Sequence, residues 1–378
     1  MRMRAAVFYE VNKPLVIEEI ELDPPKAEEV LVKVVATGVC HSDVHYFTGD
    51  SRRTTDRPII LGHEGAGIVE EVGPGVTSVK PGDHVVMTFL PTCGHCKWCH
   101  RGEPTLCDLG AQIGSGKMLD GTYRHHRASD GEDIDNFLFV STFGEYSVTS
   151  AASLVKVPDY LPLERLCLLG CGFTTGFGAV TNAAHIRPGE TVTIVGCGGL
   201  GLSAVQGAAS CDAGKIIVVD IHEQKLEMAK KFGATHTILN RHNVKEVIQE
   251  IREITRGEGT DYSFEFVGTE ATDETQAIAF KAARKAGSVF LVGAGNSKRR
   301  TLPISSDELI LYRKKVQGVL FGDAQFQVDI PRYVDLFEQG KIDLDGLVSQ
   351  EFSIDDINTC FENVLAGNRV ARQVIRYT

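Results

Sequence analysis

At 378 residues, with 43% hydrophobic and 24% charged positions, the chain has room for two domains with their own cores and the balance of a globular protein. A formal charge of −11 argues against a nucleic-acid partner, because gripping a phosphate backbone wants a basic face, although one local basic pocket for a cofactor phosphate stays compatible. The opening MRMRAAVFYEVNK lacks the apolar core of a secretory signal, and residues 166–184 and 191–211, uncharged and of membrane-spanning length, are rich in Gly, Ser and Thr, so the expectation is buried segments, no membrane partner and a cytoplasmic location.

Up to about residue 165 the chain reads as mostly β. EVLVKVVATGVC (29–40) alternates and is β-branched, and LGHEGAGIVEEVGPGV (61–76) and KPGDHVVMTF (80–89) are short strand patterns broken by Gly and Pro-Gly turns. After about Pro188 the rhythm changes. Strand patterns at 191–195, 216–219, 262–266 and 288–292 now alternate with helical stretches such as 222–232 and 243–255. That alternation is the α/β signature of a doubly wound parallel sheet. A strand-like run at 316–320 precedes two more amphipathic helices and a closing strand near 372–376. No internal repeat or low-complexity tract interrupts the pattern.

In the second half, TVTIV runs into Gly196-Cys197-Gly198-Gly199-Leu200-Gly201 and then a helix-compatible LSAVQGAAS. Alone, G-x-G-x-x-G says little; here a strand precedes it, a helix follows, and Asp220 closes a second strand nineteen residues beyond Gly201. Gly196 permits a tight turn, Gly198 lets the backbone approach a pyrophosphate, and Gly201 allows helix and strand to pack closely. Free N–H groups at the helix start favour the anion. Asp220 would accept hydrogen bonds from both adenosine ribose hydroxyls and repel a 2′-phosphate, which favours NAD over NADP. Lys225 is placed to cover the ribose edge, or is simply a solvated helix lysine.

Ten cysteines are many for a reducing compartment, and four of them, Cys93, Cys96, Cys99 and Cys107, fall within fifteen residues. C-x-x-C spacing lets neighbouring thiolates converge on a closed tetrahedral zinc site that holds a loop and does no chemistry; an iron–sulfur cluster uses similar spacing. A second metal set must come from distant positions. Cys40 follows a strand, His63 follows an apolar run, and Cys171 lies in GCGFTTG. Two thiolates and an imidazole make a catalytic zinc set with one position open. Taken singly, each is as compatible with a buried core residue, and on composition Cys167 competes with Cys171.

GVCHSDVH, GHEGAGIVEEVG, CGHCKWCHRGEPTLC, GCGFTTGFGA, IVGCGGLGL, VVDIHEQKLE, FLVGAG and ARQVI occur in order along essentially the whole chain, which resembles the zinc-containing medium-chain alcohol dehydrogenases. The resemblance implies a GroES-like β catalytic domain (1–171 and 322–378) carrying a structural-zinc lobe (93–107), and a Rossmann NAD-binding domain (172–321). It implies Cys40, His63 and Cys171 as catalytic-zinc ligands, Glu64 as a carboxylate behind the metal, and Asp43 as the carboxylate that orients the ligating imidazole. Cys93, Cys96, Cys99 and Cys107 match the structural-zinc ligands. Ser42 and His45 match a proton relay out of the substrate site. Thr175 would pack on the nicotinamide, the backbone at Val292 and Ala294 would bind its carboxamide, and Arg372 would contact the pyrophosphate. His41 stands where some members carry an Arg on that pyrophosphate, implying a weaker, pH-dependent contact.

The implied reaction is reversible oxidation of a primary alcohol, extending to secondary ones, by hydride transfer to NAD, with two zinc ions per chain. The long segment from Leu109 to Val148 resembles the dimeric animal and glutathione-linked classes and also actinobacterial members that retain their nicotinamide cofactor, the latter favoured by the wording of DLGAQIG and LDGTYR. A homodimer formed by extension of the nucleotide-domain sheet is expected. Phe89, Leu90 and Phe137 match pocket positions and suggest an apolar substrate; Arg52 and Arg53 could greet an anionic thiol adduct. The rival readings are a glutathione- or mycothiol-dependent formaldehyde dehydrogenase and a catalytically inactive nucleotide-binding homologue.

Overall fold

A computed structural model of the protein describes residues 1–51, 55–268, 272–294, 301–367 and 371–377. Its contacts divide the chain into two compact units, Met1–Cys171 with Gln325–Thr378, and Gly172–Ala324. The fold is α/β, a β-rich unit and a unit built on a parallel sheet.

In the first unit, Arg2–Phe8, Val16–Leu22, His125–Arg127, Asp133–Asn136 and Ile59–Ile60 close into a barrel in that order. Its core gathers Met3, Ala5, Val7, Ile20, Leu22, Ile60 and Ile134, all buried. A second sheet runs Leu154–Val157, His84–Met87, Gly65–Val72, Glu29–Gly38, Arg372–Arg376, Val348–Ser353, with Tyr146–Ser150 also paired to Glu29–Gly38. Glu29–Gly38 is the spine of this unit, and its chain continues directly into Cys40.

Two elements here left little trace in the sequence pattern. Helix His41–Thr48 begins at Cys40, where the Asp43 side chain accepts the Cys40 N–H in a capping box, and ends at Gly49 in the left-handed conformation (φ 77°). Strand Val348–Ser353 lies between the two expected helices, Phe326–Glu338 and Ile357–Leu365, and pairs in parallel with Arg372–Arg376. Its alternation is weak, so only the long-range pairing makes it a strand.

The second unit carries six strands, numbered here in chain order: β1 (Thr191–Val195), β2 (Lys215–Asp220), β3 (His236–Leu239), β4 (Thr260–Glu265), β5 (Ala283–Leu291) and β6 (Lys315–Gly318). All pair in parallel, in the order β3-β2-β1-β4-β5-β6. Buried on both faces, the central strands are near-continuous β-branched runs, as TVTIV shows. The reversal of strand order beside β1 is the switch point where ligands bind in such sheets. Helix Val244–Ile254 shows how the intervening helices arise: Val247, Ile248 and Ile251 form a buried stripe, and the Asn243 side chain caps the Glu246 N–H. Residues 191–211 are a strand, a turn and a helix, as expected. Among the described residues no single helix is long and apolar enough to cross a membrane.

Candidate functional site

Cys40, His63 and Cys171 come together in the first unit, their ligating atoms all within 4.8 Å of one another and all three side chains buried. Cys40 is delivered by the end of a strand and the start of a helix, His63 by the turn before Gly65–Val72, and Cys171 by the chain leaving a short 3-10 turn. The His63 turn needs Gly62 at φ 84°, where a Cβ would collide with Phe143 and Thr142. Cys167, the compositional rival of Cys171, points instead at the Glu164 carbonyl, and burial pushes its thiol pKa up.

Asp43, fully buried, organises this cluster. Its Oδ2 accepts the Cys40 N–H (2.9 Å), and its Oδ1 accepts the Gly62 N–H (3.1 Å) and faces His63 Nδ1 at 3.0 Å. With a proton on Nδ1, Nε2 keeps its lone pair for a cation. Burial opposes charge on His63, yet Asp43 and Cys40 carry its pKa up to about 10. Cys40 is held well below the ordinary thiol range by its contact with Cys171, against burial and with help from Arg372 and His63. Two neighbouring thiol sulfurs, with Cys40 drawn toward its thiolate, and an imidazole whose Nδ1 is occupied by Asp43 suit a divalent cation.

Around the cluster, Glu64 is fully buried and ion-paired with Arg372, itself 3% exposed. Gly38 makes room for that carboxylate, since a Cβ there would overlap it. Arg372, expected on a pyrophosphate, thus has its Nη2 committed to Glu64. Ser42 Oγ lies 4.0 Å from Cys40 Sγ. His45 Nδ1 is 3.8 Å from Asp50, its Nε2 is buried with no hydrogen-bond partner among the described residues, and its ring lies 6.1 Å from that of exposed His41. Phe89 and Phe137 stand edge-on to His63 at 5.8 and 5.6 Å, with Leu90 buried close in sequence. Arg52 and Arg53 lie outside the described residues.

The four cysteines of the lobe also converge. Sγ separations are 3.9 Å for Cys93–Cys99, 3.6 Å for Cys96–Cys99 and 3.9 Å for Cys96–Cys107. A tetrahedron of sulfurs 2.3 Å from zinc has edges of about 3.8 Å, whereas a disulfide would need about 2.0 Å. The Cys93 N–H points at Cys107 Sγ, and the Cys96 N–H at Cys93 Sγ, both at 3.3 Å. Backbone N–H groups of Cys99 and Asp108 bring the Cys96 thiol pKa down to about 6, while burial lifts Cys99 to about 12. Four sulfurs this close need a cation to be thiolates together.

In the second unit, Gly196 takes φ 88° and Gly201 lies so near the Gly196 carbonyl that any side chain would strike it. Gly198, at the N-cap of helix Gly199–Ser210, has open space where a Cβ would stand. Gly199 and Leu200 are half-buried in the first turn, and Gly176, beside Thr175, packs against the Leu200 carbonyl. Asp220 ends β2 with Oδ2 accepting the Cys197 N–H (2.7 Å) and Oδ1 accepting the His222 N–H (2.9 Å). Sequence spacing pointed to a ribose partner; it did not show that this carboxylate also ties down the glycine turn. Lys225 is half-buried in the first turn of helix Glu223–Lys231. Val292 N–H donates to the Glu265 carbonyl at 3.0 Å, and Ala294 is exposed.

Residues 26–159 match the family described as alcohol dehydrogenase GroES-like domain, and residues 199–339 the family described as zinc-binding dehydrogenase. The chain is 41% identical to an NDMA-dependent alcohol dehydrogenase of Amycolatopsis methanolica over 378 residues, all of both chains. It is 40% identical to an S-(hydroxymethyl)glutathione dehydrogenase of Escherichia coli, again over the full length of both. Among solved structures, benzyl alcohol dehydrogenase of Acinetobacter calcoaceticus is 32% identical, with both chains fully covered and a TM-score of 0.88.

Proposed function

This chain belongs to the zinc-containing medium-chain alcohol dehydrogenases, and from that premise we propose that it reversibly oxidises apolar alcohols to aldehydes by hydride transfer to NAD, using two zinc ions per chain. The observation that carries the reading is the convergence of Cys40, His63 and Cys171 with Asp43 on the far nitrogen of the imidazole. A zinc ion held there would supply a Lewis acid that makes an alcohol hydroxyl acidic near neutral pH, and NAD the hydride acceptor.

The residues then divide the work. Asp43 fixes the His63 tautomer. Ser42 takes the substrate's hydroxyl proton, and His45 passes it to solvent. Glu64 adds negative charge behind the ligands and Arg372 restrains it. Phe89, Phe137 and Leu90 favour an apolar substituent on the carbinol carbon. Gly196, Gly198, Gly199, Leu200 and Gly201 would hold the pyrophosphate at a helix start. Asp220 accepts the adenosine ribose hydroxyls beside Lys225. Thr175 packs on the nicotinamide, and the backbone at Val292 and Ala294 takes its carboxamide. Cys93, Cys96, Cys99 and Cys107 hold the structural zinc. The chain works as a homodimer in the cytoplasm, paired through the outer edge of β6, the last strand of its sheet.

A second reading, a thiol-dependent formaldehyde dehydrogenase, draws support from the 40% identity to the Escherichia coli enzyme. The test is metal and nicotinamide content of protein purified without added nucleotide, then turnover of ethanol, benzyl alcohol and a formaldehyde–thiol adduct with free NAD or with NDMA as acceptor. Two zinc per chain and benzyl alcohol turnover are expected. Retained nicotinamide with NDMA-driven turnover would make the cofactor a bound one; activity on the thiol adduct alone would favour the second reading. One zinc or none in folded, metal-replete protein would sink the mechanism.

A further inference from the structure

Glu265 is the last residue of β4 and has no solvent exposure. Burying a carboxyl group is costly, so packing alone does not explain it. Its Oε1 accepts the backbone N–H of Val267 (2.7 Å) and the Thr275 hydroxyl (2.9 Å), while its main-chain carbonyl accepts the N–H groups of Val292 and Gly293, each at 3.0 Å. Val267 is gripped from the other side as well, its carbonyl accepting the Thr272 hydroxyl at 3.2 Å. Gly293 lies flat on the Val267 backbone, so close that a Cβ would clash with it. One carboxylate therefore fixes the bend on which the 292–293 backbone rests. The Val267 side chain packs over Gly196, but the hydrogen bonds of the glycine turn go elsewhere: the Gly196 N–H donates to the Val219 carbonyl (2.9 Å) and the Cys197 N–H to Asp220 (2.7 Å).

We propose that Glu265 is a positioning residue for the nicotinamide end of the dinucleotide, holding the Val292–Gly293 backbone in place through Val267 and leaving the adenosine-diphosphate half to its own anchors. The inference rests on the NAD reading above. Without the carboxyl, the Val267 N–H is orphaned, the bend relaxes and the carboxamide-binding backbone loses its support.

The experiment titrates nucleotide-stripped full-length protein with NADH and, separately, with ADP-ribose, which lacks the nicotinamide. E265L should weaken NADH about tenfold and ADP-ribose by no more than about twofold. E265Q, whose amide oxygen still accepts the Val267 N–H, should recover NADH affinity to within about threefold. T275V removes one donor from the carboxylate and covers the case in which E265L does not fold; it should weaken NADH alone, by about threefold. Equal losses for both ligands, or no loss of NADH affinity, in the variants that fold would overturn the proposal and leave the NAD reading standing. A wild-type chain that binds neither ligand would overturn both.

Discussion

Asp43 shows how much one buried side chain can organise: it caps a helix, fixes the turn at Gly62 and orients His63. Asp43→Ala removes all three, so chelator competition should show the catalytic zinc held about 10–100-fold more weakly, with the lobe zinc unchanged. Equal loss of both metals would mean general unfolding instead. Arg124 is the structural counterpart. Fully buried, it donates to both Glu29 oxygens (2.8 and 2.6 Å) and to Asp120 (2.8 Å), tying the segment before His125 to the spine strand. Arg124→Met strands the Glu29 carboxylate and should cost about 3–5 kcal/mol, seen as a lowered Tm; adding Glu29→Leu should return part of it.

At the level of elements, short pieces are held by single constraints. Helix Lys97–His100 is only four residues long, too short to persist without tertiary support. Its support is the four-cysteine cluster, so Cys96→Ser should drop the metal content by one zinc per chain and make the lobe the first site of proteolysis. Helix Gly199–Ser210 depends on closeness instead: Gly201 sits against the Gly196 carbonyl and Gly207 against the Phe177 backbone. Gly201→Val should abolish NADH and ADP-ribose binding alike while both zinc ions stay bound, the pattern opposite to that expected of Glu265→Leu. Binding titration and metal analysis on one sample would separate the two.

For the whole molecule, His125 should contribute to acid sensitivity: it is buried in the barrel, with neither ring nitrogen hydrogen-bonded among the described residues. Burial, aided by His126 and Arg124, brings its pKa from 6.5 down to about 3. The unfolded chain therefore takes up a proton below pH 6.5 that the folded chain refuses until about pH 3, and the stability His125 contributes at neutral pH is lost as pH falls through that window. The slope is about 1.4 kcal/mol per pH unit within it. His125→Phe should narrow the gap in unfolding free energy between pH 7.5 and pH 5 relative to the wild type. An unchanged gap would place the acid sensitivity elsewhere.

What lay in the sequence alone was whatever short-range spacing encodes. Strand and helix periods announced the parallel sheet, because a side chain's face is set by its neighbours two or four residues away. The glycine turn and the cysteine lobe were legible because each packs its chemistry into a few consecutive residues. Pairings between distant positions left no such mark: that Cys171 and not Cys167 joins Cys40 and His63, that Arg372 meets Glu64, and that Val348–Ser353 is a strand at all. Resemblance pointed to the metal set before the geometry did, but not to the double duty of Asp220 or to the buried carboxylate of Glu265. Those depend on chain segments meeting in three dimensions, where the need to satisfy each buried polar group decides the partners.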